Sequence, residues 1–501
     1  MVNLLADLFF EKAALNENKL AVWCEDESIT YKGLANLTNQ YANFLLENHV
    51  EYGDHIGIPM YNNITSVALI LAAANNGIGL VPINPTLPEE AIIHAFEVAN
   101  VKHIIATKRF FEKYRNLNLG GQSFCLDGYV EGKISFLDVE NRSKSRPYVQ
   151  EVNGKESFII TLTSGSTGAP KPILLTQENK YKRIKAHYNL YGVTENDRVL
   201  AATPLYHSLA ERLVLMPLLV GGTSILMSRF TPKRWLETIK EQGVTFTIAV
   251  SAQLNQINCE LPKIEMNEIS SLRCIVSSSA LLETHIRKEL IDRLMCDFHE
   301  MYGTSESSTV TSINFKEAYS KQNSVGRSLP EASIQILKDN NTVAKAYEVG
   351  EILCKTSLIC EGYYGQSDLF DENIIEGYFK TGDLGYLDED SFLYFSGRKK
   401  ELIITGGINV YPTDIDKVVG RLPEIEECAA FAYPDGKLGE IVAIAIVLKK
   451  DTSLSIRDVQ RYCVKNLADY QLPQNIYFVQ RLPKNAMGKL LRTQIIDNII
   501  E

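Results

Sequence analysis

YKGLANLTNQYANFLLENHVEYGDHIGIPM, residues 31–60, reads as a helix, a turn and a strand in direct succession. Its first part carries apolar residues at helical spacing with an acidic and amide outer face. EYGD then supplies a turn and HIGIPM a short apolar strand. The same alternation continues to about residue 300, where the strand-like runs are FIITLT, TSILM, FTIAV and CIVSSS. Short apolar runs separated by helical patterns predict an α/β fold with buried strands, each unit resembling half of a doubly wound sheet. Beyond about residue 330 the texture changes to strand-like pieces with turns, SIQIL, GEILCK and EGYFKTGDLGYLDEDSFLYFSG, which predict an antiparallel or barrel-like portion. A further shift comes at GRKKELIITGG. After it, IDKVVGRLPEIEECAAFAYP and IVAIAIVLKK predict a small α+β domain. The boundary is placed near Lys400, giving a large domain over 1–399 and a smaller one over 400–501.

Bulk properties exclude several function classes. A chain of 501 residues is too long for one ordinary core, and 45% hydrophobic with 22% charged residues leaves ample material for packed domains. The net charge of -10, with no long basic run, argues against nucleic acid as partner. Nine cysteines lie scattered between Cys24 and Cys463 without a CxxC pair, so neither a disulfide framework nor a zinc site is expected, and a reducing cytoplasmic setting fits. The start, MVNLLADLFFEKAALNENK, is unlike a signal peptide, and the longest apolar run, Leu213 to Met227, is broken by Pro217, Gly221 and Gly222. No transmembrane segment is expected. Oligomeric state is not legible.

FIITLTSGSTGAPKPILLT, residues 158–176, places Thr163, Ser164, Gly165, Ser166, Thr167, Gly168, Ala169, Pro170 and Lys171 directly after a strand-like run. Glycines allow the main chain to approach an anion, hydroxyl and N–H groups donate to phosphate oxygens, and Lys171 adds charge. A flexible Ser/Gly turn has the same composition. The Walker pattern fails because Pro170 and Pro172 flank Lys171 and no Ser or Thr follows the lysine. The GxSxG nucleophile elbow fails on glycine spacing around Ser166.

Further segments follow in order: YGTSES at 302–307, YFKTGDLGYLDEDSFLYFSGRKKELIITGGINVYPTDID at 378–416, and LPKNAMGKLLR at 482–492. Together with the Ser/Gly loop they resemble the adenylate-forming superfamily of acyl-CoA synthetases, luciferases and peptide-synthetase adenylation domains. The resemblance assigns ATP to the loop. It gives the adenine face to Tyr302 and to the segment around Ser279 and Ala280, with Gly303 and Thr304 in the same motif; Ser305 meets the α-phosphate and Glu306 meets Mg²⁺. Asp383 and Arg398 are the implied ribose contacts, Lys489 the catalytic lysine, Lys400 the hinge, and Gly406 and Gly407 the lining of a thiol tunnel. His207, in PLYHSL, stands where CoA ligases of the family carry an aromatic or histidine beside the acyl site, and a core histidine at a helix start reads equally well. Two departures stand out: Pro172 replaces the usual glycine after the loop lysine, and Asn485 the usual threonine before the final lysine.

The implied activity is an acid–thiol ligase. A carboxylate attacks the ATP α-phosphorus, pyrophosphate leaves, and a thiol then takes the acyl group from the adenylate. The acceptor is coenzyme A, with a carrier-protein phosphopantetheine as the alternative. No amine-binding aspartate is evident near residue 207, so the expected substrate is a small carboxylic acid without an α-amino group, a fatty acid first and an aryl acid second. A nucleotide-binding scaffold without chemistry is disfavoured by the joint presence of Lys171, Glu306, Asp383, Arg398 and Lys489.

Overall fold

The computed structural model describes residues 4–115, 117, 119–162, 171–316, 318–321, 323–484 and 490–500. The chain forms two compact units. The first comprises Met1–Ser320, Leu329–Ala332 and Thr356–Ile374; the second comprises Lys321–Ser328, Ser333–Lys355 and Ile375–Glu501.

The 31–60 stretch folds as read. The Thr30 side chain accepts from Gly33 N and caps the helix Tyr31–Glu47, whose Leu34, Tyr41, Phe44 and Leu45 are buried. Gly53, at φ +81°, takes the left-handed turn before the next strand. Along the first unit run β1 (Leu20–Cys24), β2 (Glu27–Thr30), β3 (His55–Pro59), β4 (Gly79–Ile83), β5 (His103–Ala106), β6 (Ser123–Cys125), β7 (Ile134–Ser135), β8 (Ser157–Leu162) and β9 (Pro172–Thr176). They continue with β10 (Arg198–Ala201), β11 (Thr223–Leu226), β12 (Phe246–Val250), β13 (Cys274–Ser278), β14 (Asp297–Thr304) and β15 (Ser308–Asn314).

Two sheets result. One has the order β7-β6-β5-β3-β4-β8-β9, parallel except for β9, and the other runs β15-β14-β13-β12-β10-β11-β1-β2, parallel except for β15 and β2 at its ends. The residues of β3, β4, β5 and β12 are buried throughout, as parallel strands covered on both faces must be. The helix Ile64–Asn76 is buried along nearly its whole length, so it is apolar all round instead of striped. Its Val67, Leu69, Ile70 and Leu71 share one core with Ile56 and Leu80 of the first sheet and Val199, Ile248 and Val276 of the second. Each such side chain contributes about 1.5–3 kcal/mol of transfer free energy.

In the second unit, Gly350–Thr356, Tyr378–Leu387 and Leu393–Arg398 pair antiparallel, as the change of texture predicts. Farther on, Ile425–Asp435 and Gly439–Leu448 form a long antiparallel pair beside the helices Pro412–Val419 and Ile456–Asn466, with Ile403, Ile415, Ile444 and Val459 in their core. Among the described residues, no helix is long and apolar enough to cross a membrane.

Candidate active site

In the first unit the neighbouring parallel strands β12, β13 and β14 end on the same side, and open parallel sheets bind ligands beyond the carboxyl ends of their strands. Ser279 follows β13 in a left-handed conformation, φ +80°. The Ser251 hydroxyl donates to the carbonyls of Ser278, at 3.3 Å, and Ala280, fixing this turn. β14 ends in Tyr302, Gly303 and Thr304, each still paired with β15, and the turn 305–307 returns the chain into that strand. Tyr302 is buried. At Gly303 an added Cβ would lie 1.8 Å from the Ser308 carbonyl oxygen, so only glycine lets the hairpin close. Thr304 and Ser307 exchange bonds across the turn: Thr304 N donates to Ser307 Oγ at 3.2 Å and Ser307 N to Thr304 Oγ1 at 3.1 Å.

Glu306 is half-buried, and its Oε1 accepts a 2.9 Å hydrogen bond from the Tyr363 hydroxyl. Lys171 immediately precedes β9 and its Nζ lies 4.9 Å from the centre of the Tyr363 ring, a cation–π distance. Backbone pairing of the 361–364 segment with β9 causes this meeting: Leu174 N donates to Gly362 O and Tyr364 N to Pro172 O. Pro172, the departure after the loop lysine, thus opens a strand and supplies an acceptor.

Beneath the turn lies a set of buried charges that the sequence reading missed. The guanidinium of Arg183, on the helix Gln177–Leu190, donates to three carbonyls: Nε to Leu358 at 2.8 Å, Nη1 to Ser305 at 3.0 Å and Nη2 to Glu306 at 2.6 Å. Four residues on, His187 Nε2 lies 2.8 Å from Thr309 Oγ1 and 2.8 Å from Arg212 Nη1. Burial, and then the charges of Arg212 and Arg183, hold this imidazole neutral. Lys180 pairs with Glu211, both wholly buried, and burial lowers the lysine to about 8 despite its partner.

His207 occupies the N-cap position of the helix Ser208–Val220 without making a side-chain cap. Its ring stacks at a tilt on Tyr206, 4.5 Å between centroids, and its Nε2 is shut off from solvent without a partner among the described residues. Burial lowers its pKa to about 4. A buried polar atom left unmet asks for a ligand or a water.

In the second unit Asp383 and Arg398 face each other directly across antiparallel strands, Arg398 Nε lying 3.5 Å from Asp383 Oδ1. Asp383 is buried; its N–H donates to Thr381 Oγ1, whose hydroxyl in turn donates to Ile352 O. Gly382, at φ +72°, makes the bend that presents it. Lys400 is exposed in a short 3₁₀ turn, Lys399–Glu401. Gly406 and Gly407, at φ +56° and +83°, form the two-residue turn between Ile403–Thr405 and Ile408–Val410, the pairing that left-handed hairpin turns demand. Thr163, Ser164, Gly165, Ser166, Thr167 and Gly168 of the loop, and Lys489, lie outside the described residues.

The donor set suits a nucleotide with a hard divalent cation. Among the described residues no group of three or more His, Cys, Asp and Glu side chains converges as a metal cage. Glu306 instead offers one carboxylate beside the hairpin, which fits a magnesium ion whose other ligands are phosphate oxygens and water.

A family model described as AMP-binding enzyme matches residues 9–364, and one described as AMP-binding enzyme C-terminal domain matches residues 414–489. The indoleacetate–CoA ligase of Aromatoleum aromaticum is 28% identical, over 98% of this chain and 97% of that protein. A 2-succinylbenzoate–CoA ligase of Bacillus cereus is also 28% identical, over 99% and 98%. The solved o-succinylbenzoate CoA synthetase of Bacillus subtilis, in complex with its acyl-adenylate intermediate, superposes with a TM-score of 0.86 at 26% identity, covering 97% of both chains. An anthranilate CoA ligase bound to anthranoyl-AMP shares the fold, with a TM-score of 0.89 at 21% identity, over 99% of this chain and 96% of that one.

Proposed function

The chain belongs to the AMP-binding enzyme family, and on that premise we propose that it condenses a carboxylic acid with ATP to an acyl-adenylate and transfers the acyl group to the thiol of coenzyme A. The observation that carries this reading is the hairpin end at Glu306: Tyr302 lies on the strand leading into it, Tyr363 meets both its carboxylate and Lys171, and the Ser279–Ala280 turn follows the neighbouring parallel strand β13. Tyr302 and residues 279–280 bracket the adenine, and Ser305 donates to the α-phosphate. Asp383 accepts from the ribose hydroxyls, with Arg398 beside it. Glu306 would hold a magnesium ion together with the phosphates, and the ion would supply charge neutralisation on the polyphosphate.

In the first half-reaction a carboxylate oxygen bonds to the α-phosphorus and the bond to pyrophosphate breaks. No protein nucleophile is needed, so positioning and the charge of Lys171 and Lys489 carry the rate. In the second, a thiolate sulfur bonds to the acyl carbon and AMP departs. The two halves need different surroundings, and the 400–501 domain, turning about Lys400, exchanges Lys489 for the Gly406–Gly407 hairpin between them.

The acid is an arylcarboxylic acid: the relatives named for indoleacetate and 2-succinylbenzoate move this class ahead of the fatty acids favoured by the sequence. Pyrophosphate release, measured with ATP and Mg²⁺ but no thiol over matched panels of aryl and fatty acids, is expected with one or more aryl acids. Release with fatty acids alone would return the substrate class to aliphatic acids; release with none would sink the adenylation reading. Coenzyme A against a phosphopantetheinylated carrier protein then identifies the acceptor.

A further inference from the structure

We propose that Arg183 is a positioning residue for the metal-facing carboxylate, holding Glu306 through its main chain while Tyr363 holds it through its side chain. The inference rests on the reading of Glu306 as the residue that faces magnesium, and it concerns two residues outside every motif used to reach that reading.

The carbonyls of Ser305 and Glu306 belong to the two peptide planes that flank the Glu306 Cα. Arg183 Nη1 and Nη2 take one each, and Nε takes Leu358 O, so one rigid fork fixes both planes and with them the direction of the Glu306 Cα–Cβ bond. Glu306 O also accepts from Cys360 N at 2.8 Å, and the same 358–363 segment brings the Tyr363 hydroxyl to Glu306 Oε1. The turn is exposed at Ser305, where it has no core of its own to hold it.

The supporting helix is itself anchored on the same side. Asn179, Arg183 and His187 recur every four residues on its buried face and meet Ile359 O, the turn and Thr309 Oγ1 respectively. Arg183 is 1% exposed, and the carbonyls of Leu358, Ser305 and Glu306 to which its guanidinium donates are neutral acceptors. A packing role alone would not need a charged fork aimed at two successive carbonyls.

The test is the equilibrium affinity for ATP, with no acid present and hence no turnover, measured in Mg²⁺ and again in EDTA. Arg183→Lys, Arg183→Gln and Tyr363→Phe are compared with the full-length wild-type chain, and each melting curve is recorded. The expected result is an affinity reduced about tenfold or more in Mg²⁺ for both Arg183 variants and changed less than about twofold in EDTA. Tyr363→Phe, which removes one hydroxyl and no backbone support, is expected to lose severalfold in Mg²⁺ only. Pyrophosphate release should then need several times more Mg²⁺ for half-maximal rate. Equal loss in Mg²⁺ and EDTA, or wild-type Mg²⁺ dependence in Tyr363→Phe and Arg183→Lys, would overturn the proposal. Should the wild type itself gain no ATP affinity from Mg²⁺, the reading of Glu306 falls first and the proposal with it.

Discussion

His207 is a neutral imidazole at neutral pH, because burial lowers its pKa from 6.5 to about 4. The unfolded chain takes up this proton first, so the contribution is whole above pH 6.5 and is lost as the pH falls through 6.5 towards 4. It amounts to about 3 kcal/mol. Denaturation of His207→Asn against wild type should show the stability difference shrinking by about this amount between pH 7.5 and pH 4. A constant difference would mean the ring is solvated. The same shift predicts no limb near pH 6.5 from His207 in the pH profile of kcat/KM. At the buried pair Lys180 and Glu211, Glu211→Gln leaves the ammonium without its carboxylate and should cost about 3–5 kcal/mol. The double variant Lys180→Met with Glu211→Leu should recover most of it in urea melts, because apolar groups of similar size need no partner.

The hairpin of β14 and β15 is the element on which the site depends, and Gly303 is where it is most constrained. Gly303→Ala drives a methyl into the Ser308 carbonyl, so it should cost about 1–3 kcal/mol of stability and raise the KM for ATP severalfold, read from melts and pyrophosphate release. YGTSES and the KTGDLG of residues 380–385 look like ordinary polar turns when taken singly, and were legible only through their order along the chain and the family resemblance that this order carries. The direct pairing of Asp383 with Arg398 follows from strand register alone. The row Asn179, Arg183, His187 was not legible. Lys182, Lys185 and Tyr188 alternate with it, so both faces of the helix carry polar groups, and only the carbonyls of 305, 306 and 358 decide which face is buried. The antiparallel return of β9 was equally hidden, since PILLT reads the same in either direction.

At the scale of the molecule the α/β texture of residues 30–300 and the change after about residue 330 were both readable from periodicity, and the buried helix Ile64–Asn76 is what joins two sheets into one core. The substrate class was not readable, because an acyl pocket is lined by residues brought together from distant segments. Lys489→Ala should abolish pyrophosphate release while leaving thioester formation from supplied acyl-adenylate within a few fold of wild type; equal loss in both would remove the lysine from the first step. The central claim, that the acid is activated as a mixed anhydride with AMP, is tested most directly by isotope transfer. With the acid labelled by ¹⁸O in both carboxylate oxygens, attack on the α-phosphorus followed by thiolysis should deliver one ¹⁸O into each AMP released. AMP without label, or formation of ADP and phosphate instead, would contradict it.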